Sequence, residues 1–91
     1  MHADVLKAIN VQINSEFSAW YQYLAMAAFC EREKFTGASR WLKAQSVEEY
    51  QHGMKLFDFV LARNGVVRLF FVLALRLQHL RHGLCRAGRQ L

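Results

Sequence analysis

The sequence predicts an all-α protein: a hairpin of two long helices and a shorter tail helix, with a four-helix bundle completed by dimerisation. The chain of 91 residues contains no proline and five glycines, and 54% of its residues are hydrophobic. Apolar side chains recur every three or four residues along two long stretches, which is the period of a helix with one buried face. A chain this short forms a marginal core alone, and association often supplies the missing burial.

The first helix is predicted from Ala3 to Arg32, because no glycine or proline interrupts this stretch and Asp4 stands near its positive end. Its inward stripe advances in steps of four and three residues and comprises Ile9, Ile13, Glu16, Trp20, Tyr23 and Ala27. Glu16 therefore lies on a face where burying a carboxylate is costly unless it has a partner. Tyr23 lies two turns further along that face, and a buried phenol also needs a hydrogen-bond partner.

A second helix is predicted from about Ala38 to Arg63, with Thr36 as its cap and Asn64-Gly65 as its stop. Its predicted core stripe comprises Leu42, Gln45, Glu49, His52, Leu56 and Phe59. Glu49 and His52 are three residues apart and share one face of the helix, which we expect to be the buried face. A carboxylate together with a neutral imidazole suits iron, manganese or zinc.

The short break between the two helices makes them an antiparallel hairpin, in which residues at the same depth have numbers that add to about 70. Glu16 meets this condition with both Glu49 and His52, to within about a turn and a half. The three side chains are thus predicted to converge on one place, where they could bind a metal ion. The alternative stays open that both glutamates reach water at the edges of their stripes and that His52 is an ordinary core histidine.

Residues 66–91 differ in charge from residues 1–65, so the chain is predicted to divide near Gly65. The first segment holds seven acidic and seven basic residues, whereas the second holds five arginines and no acid, which accounts for the whole net charge of +5. Leucines spaced by three or four residues predict an amphipathic tail helix with a basic outer face. His79 and His82 lie among these arginines, which favours a cationic surface over a metal site.

Other features limit the partners and the compartment. Cys30 and Cys85 form no metal or redox motif, which indicates reduced thiols in a cytoplasmic protein. The longest apolar run, Leu69 to Leu75, is too short to span a bilayer, and no export signal opens the sequence, so no membrane partner is expected. The chain lacks a nucleic-acid-binding motif and an aromatic stacking pattern, so nucleic acid is not an expected partner despite the basic tail.

Two stretches of the chain resemble the ferritins. The segment INVQINSEF at 9–17, followed by YQYLAM at 21–26, resembles the first helix of a ferritin subunit. The segment QSVEEYQHGMKL at 45–56 is similar to the second helix. The resemblance covers about residues 4–68, and its two motifs occur in the order and at the separation found in that family. Beyond Arg68 the family pattern stops.

The resemblance implies an iron-storage protein that oxidises Fe(II) to Fe(III) at a di-iron carboxylate centre, with dioxygen or peroxide as the oxidant. Glu16 matches the iron ligand of the first helix, Glu49 the bridging glutamate and His52 the imidazole ligand. Tyr23 matches the tyrosine beside the centre, and Glu48 matches an acid associated with the onward movement of iron. The family's ligands on the third and fourth helices have no counterpart here.

A single hairpin offers half of such a centre. It has one glutamate from its first helix and one Glu-x-x-His from its second, whereas a di-iron bundle uses two of each. We therefore expect a homo-oligomer, at least a dimer, in which a twofold axis supplies a second Glu16, Glu49 and His52. The alternative is a truncated ferritin remnant that associates as a helical bundle without ferroxidase activity.

Overall fold

The computed structural model describes residues 1–70, which form two long α-helices and no strand. Helix α1 spans Ala3–Arg32 and helix α2 spans Thr36–Ala62, and residues 33–35 link them. The helices pack against each other along their length as an antiparallel hairpin. The all-α prediction is confirmed, and so are the predicted bounds of the first helix. Helix α2 begins two residues earlier and ends one residue earlier than predicted.

A Schellman turn ends α1 and reverses the chain. Lys34 adopts the left-handed conformation with φ of 64°, and the N–H of Phe35 donates to the carbonyl of Cys30 at 2.8 Å. Phe35 then packs against the buried cluster that contains Cys30, which is the hydrophobic contact that usually accompanies this turn. The prediction that Thr36 caps α2 is wrong, because Thr36 is the first residue of the helix and Phe35 occupies the cap position without a side-chain hydrogen bond.

The end of α2 is a turn of the same kind. Asn64 has φ of 59°, and the N–H of Gly65 donates to the carbonyl of Val60 at 2.9 Å. Asparagine therefore supplies the left-handed residue, which it tolerates better than most other residues with a side chain. Gly65 is required for space, since a Cβ at this position would lie 2.8 Å from Cγ1 of Val60.

The inward face of α2 differs from the predicted stripe at every second position. The buried residues of α2 are Ser39, Leu42, Ser46, Gly53 and Val60. Gln45, His52 and Phe59, which were predicted in their place, lie at the edge of the interface, and both His52 and Phe59 are exposed. The reason is steric: Ser46 and Gly53 are small, so side chains of α1 can pack directly over them, as the ring of Phe17 does over Gly53.

Residues 66–70 return along α1 without forming a helix. The side-chain amide of Asn10 donates to the carbonyl of Val66 at 3.0 Å and accepts the N–H of Arg68 at 2.8 Å. Asn10 is 7% exposed, so these bonds also satisfy a buried amide.

Asn14, one turn further along α1, repeats the pattern. It donates to the carbonyl of Arg68 at 2.6 Å and accepts the N–H of Phe70 at 2.8 Å. The prediction of a tail helix from Val66 is therefore wrong for residues 66–70, because asparagine side chains occupy the backbone groups that a helix would pair internally. The rest of the predicted tail helix, with His79, His82 and Cys85, lies outside the described residues.

The hairpin has two broad faces. On one, which we call the aromatic face, a cleft is lined by rings from both helices and by residues 69 and 70; its lining includes Phe17, Tyr21, Tyr50, Phe57 and Phe70. The other, which we call the carboxylate face, carries the cluster of Glu16, Glu49 and His52. By helical spacing it also carries Gln12 and Tyr23 of α1 and Leu56 and Phe59 of α2. Neither α1 nor α2 is long and apolar enough to cross a membrane.

Candidate metal centre

Glu16 of α1 and the pair Glu49 and His52 of α2 meet near the middle of the hairpin. One ligand atom from each residue lies within 4.8 Å of the other two. Glu49 and His52 are neighbours because they stand about one helical turn apart, and the antiparallel packing brings Glu16 to the same level. The structure thus places together the three side chains that the sequence singles out, and their role as metal ligands stays a prediction.

The carboxylate of Glu16 has one oxygen without a hydrogen-bond donor. Its Oε1 accepts the side-chain N–H of Gln12 at 2.9 Å, whereas its Oε2 is buried and has no donor among residues 1–70 when Glu49 is ionised. Nδ1 of His52 lies 3.6 Å from this Oε2, and the two side chains are 54% exposed for His52 and 16% exposed for Glu16. A buried acceptor in this condition is satisfied by a proton or by a cation.

The two carboxyl groups of the cluster hold protons unequally. A hydrogen bond with Glu49 is the main cause that lowers the pKa of Glu16; burial opposes this effect, and Gln12 and His52 reinforce it. The same bond is the main cause that raises the pKa of Glu49, and burial raises it further. The pair therefore shares a proton above the pH at which an isolated glutamate would lose it, and a divalent cation would displace that proton.

A family model described as the ferritin-like domain matches residues 6–77. The chain belongs to the ferritin family. It is similar to the bacterial non-heme ferritin of Staphylococcus epidermidis, with 39% identity over 57 residues that cover 63% of this chain and 34% of that protein. The bacterial non-heme ferritin of Bacteroides fragilis is 39% identical over 62 residues, which cover 68% of this chain and 39% of that protein.

The fold is also that of solved ferritin structures. An open-pore ferritin from the hyperthermophilic archaeon Archaeoglobus fulgidus superposes with a TM-score of 0.74 and 40% sequence identity, over 80% of this chain and 45% of that one. These findings confirm the resemblance that the two motifs indicate, together with the all-α ferritin fold. This ferritin-family chain spans little more than a third of the length of the curated relatives that it matches.

The donor set of this ferritin-family hairpin fits a transition-metal ion. Two carboxylates and one imidazole suit iron, manganese or zinc, and three protein ligands leave coordination positions for further ligands. The buried Oε2 of Glu16 fits the same donor set, because a buried carboxylate oxygen needs either a proton or a cation as its partner.

Gln12 belongs to this site although the sequence analysis did not single it out. It lies one turn before Glu16 on α1, and its bond to Oε1 holds the carboxylate while Oε2 lies 3.6 Å from Nδ1 of His52. The signal was present in the sequence as an i, i+4 pair of Gln and Glu, a spacing at which such side chains meet on a helix.

Of the two supporting residues that the resemblance names, Glu48 is adjacent to Glu49, whereas Tyr23 lies two turns from Glu16 along α1 and packs against the buried cluster that contains Cys30. Tyr23 is half-buried on the carboxylate face, and its ring meets that of Trp41 edge-on at a centroid distance of 6.4 Å. Glu48 is exposed beside Glu49, and its negative charge contributes to raising the pKa of Glu49. Their functional roles stay predictions.

Proposed function

We propose that this ferritin-family chain binds iron through Glu16, Glu49 and His52, oxidises Fe(II) to Fe(III) there, and serves iron storage. The observation that carries the proposal is the buried Glu16 carboxylate, whose Oε2 has no donor when Glu49 is ionised and which lies within reach of an imidazole and a second carboxylate. Membership of the ferritin family and similarity to bacterial non-heme ferritins support iron as the cation.

The chemistry of the cluster suits the oxidation. Each Fe(II) gives up one electron, so two neighbouring ions reduce one dioxygen to hydrogen peroxide with the uptake of two protons; peroxide is the other candidate oxidant. Carboxylates stabilise Fe(III) more than Fe(II), because the Coulomb attraction grows with the charge of the ion. Tyr23 would take the place of the tyrosine that stands beside the centre in the family. Glu48, exposed on the outer side of Glu49, would receive iron as it moves onward.

Association with further copies is part of the proposal. We infer a homo-oligomer, at least a dimer, because the family's centre needs more ligands than one hairpin offers. A cytoplasmic location stays a prediction from the sequence.

A second candidate function is a self-associating helical bundle without ferroxidase activity. Two observations favour it: the match covers 34% and 39% of the two bacterial ferritins, and residues 66–91 contain no Asp or Glu that could act as a further carboxylate ligand.

The test compares Glu49→Ala with Glu31→Ala. Glu31 is an exposed acid in the last turn of α1, so its removal changes the net charge equally without touching the cluster. Glu49→Ala should lower bound iron and the rate of Fe(II) oxidation at least about tenfold, since even outer-shell partners of metal ligands have effects of this size. Bound iron is measured by metal analysis and oxidation by the absorbance of Fe(III).

Three outcomes separate the candidates. A selective loss in Glu49→Ala supports the iron centre. Iron binding without oxidation in the unmodified chain favours the inactive bundle. Equal effects of the two substitutions, with both proteins still helical by circular dichroism, would show that Glu49 is not a ligand and would overturn the centre as proposed.

A further inference from the structure

We propose that two copies of this chain dock through their carboxylate faces and build one dinuclear metal centre between them. The inference rests on the proposed metal-binding function of Glu16, Glu49 and His52. It adds the partner, a second copy of the same chain, and the surface by which that partner binds.

The first reason is the number of ligands. Helix α1 contributes one glutamate and α2 one Glu-x-x-His, whereas di-iron carboxylate bundles take two of each from four helices. No acid follows Asp58 in the 91 residues, so residues 66–91 cannot provide another carboxylate. Because Glu16, Glu49 and His52 lie near the middle of the hairpin, a twofold axis passing close to them brings an identical set opposite.

The second reason is charge. Two carboxylate faces in contact would place four carboxylates together, and their mutual repulsion would oppose docking in the absence of a cation. Two divalent ions carry four positive charges and would balance the four carboxylates, while the two imidazoles bind as neutral ligands. Metal binding and dimer formation are therefore linked, so that each strengthens the other.

The third reason is the surface that surrounds the cluster. Helical spacing places apolar residues on the same face beyond the ligands, Leu56 and Phe59 along α2 in one direction and Tyr23 along α1 in the other. Phe59 is 39% exposed although its ring is large and apolar. Residues 66–70 run along the opposite, aromatic face, where Leu69 and Phe70 line the cleft. Among residues 1–70 the carboxylate face is thus the one that no third segment covers.

The experiment titrates the full chain with Co²⁺, a probe of similar coordination chemistry that air does not readily oxidise when bound by such ligands. Molar mass is followed by sedimentation, and bound metal by equilibrium dialysis. The shared centre predicts one Co²⁺ per chain and a dimer at saturation. By mass action, diluting the chain about a hundredfold should raise the half-saturating free Co²⁺ roughly tenfold, because two chains and two ions combine in one complex.

Two matched variants locate the contact. Phe59 and Leu61 are both exposed apolar residues in the last turns of α2, with 39% and 50% exposure, and they point about 200° apart around the helix. Phe59→Ser leaves all three ligands in place and should raise the half-saturating Co²⁺ roughly tenfold through weaker dimerisation. Leu61→Ser should titrate like the unmodified chain.

The outcomes distinguish this inference from the function on which it rests. A monomer that binds Co²⁺ with an affinity independent of protein concentration overturns the shared centre and leaves metal binding by one chain intact. A dimer whose Co²⁺ affinity responds to Leu61→Ser and not to Phe59→Ser overturns the assignment of the face. A chain that binds no Co²⁺ at any concentration overturns both.

Discussion

The ring of Phe17 lies against Gly53 in the interface between α1 and α2. A Cβ on Gly53 would overlap the ring. Phe17 is itself held by Trp20 and Tyr50, whose ring centroids lie 6.2 and 6.1 Å away, so it has little room to retreat. Since Phe17 follows Glu16 and Gly53 follows His52, this contact fixes the register that brings the candidate ligands to one level.

Gly53→Ala should therefore destabilise the hairpin. Alanine gains about 1 kcal/mol over glycine in a helix interior, but overpacking of a tight contact costs typically about 1–3 kcal/mol, and the second effect should exceed the first. Urea unfolding followed by circular dichroism measures the difference.

Gly37→Ala is the matched control. Gly37 lies in the first turn of α2, and a Cβ there would meet no atom within 4 Å. We expect this substitution to leave stability unchanged or to raise it by up to about 1 kcal/mol. If both variants were stabilised alike, the close contact at Gly53 would not be real.

The same contact explains why part of the site was predictable from the sequence and part was not. Periodicity was enough to place α1, to pair the helices and to bring Glu16 near Glu49 and His52. It was not enough to find the contact line of α2, because that line runs through Ser46 and Gly53, which carry almost no hydrophobic signal. The bulkier Phe59 suggested a stripe shifted by one residue and made His52 appear buried, whereas its side chain is 54% exposed.

The conformation of residues 66–70 could not be predicted from hydrophobic periodicity either. Leucine spacing predicted a helix there, yet Asn10 and Asn14 bind this segment through side-chain amides more than fifty residues away in sequence. Hydrogen bonds of this kind depend on tertiary contact and leave no trace in hydrophobic periodicity.

Asn14→Ala should release one part of this segment selectively. The substitution removes the acceptor of the Phe70 N–H, so the protection of that amide against hydrogen exchange should fall. The N–H of Arg68 should stay protected, because its acceptor is Oδ1 of Asn10. Hydrogen exchange followed by NMR measures the exchange rates of both amides in one sample.

Asn10→Ala provides the reciprocal comparison. It should expose the Arg68 amide, and because the Asn10 side chain is buried and bonded on both sides, it should also lower the free energy of unfolding by about 1–3 kcal/mol. If neither substitution changed exchange at Arg68 or Phe70, the segment would not be held by the two asparagines.

Titration of the Glu16 and Glu49 pair should make the stability of the metal-free protein depend on pH. The pKa of Glu49 is raised above its usual value of 4.5 in the folded chain, so the folded state holds that proton more tightly than the unfolded state does. Glu49 therefore stabilises the folded chain fully below pH 4.5, and this stabilisation is lost as the pH rises through the raised pKa. The lowered pKa of Glu16 acts in the opposite sense and in a separate window, since its contribution is lost only as the pH falls below 4.5.

Glu49→Gln isolates the effect of Glu49, because an amide resembles the protonated carboxyl and cannot ionise. In the presence of a chelator, the unmodified chain should lose stability relative to Glu49→Gln as the pH is raised from about 5 to about 8, and the two should converge toward the acid end of that range. Urea midpoints at several pH values measure the difference. Glu31→Gln, at an exposed carboxyl in α1, should follow the unmodified chain throughout. A constant gap between the unmodified chain and Glu49→Gln across this range would mean that Glu49 does not share a proton with Glu16, and the two carboxyls would then offer a cation two ionised ligands without competition from a proton.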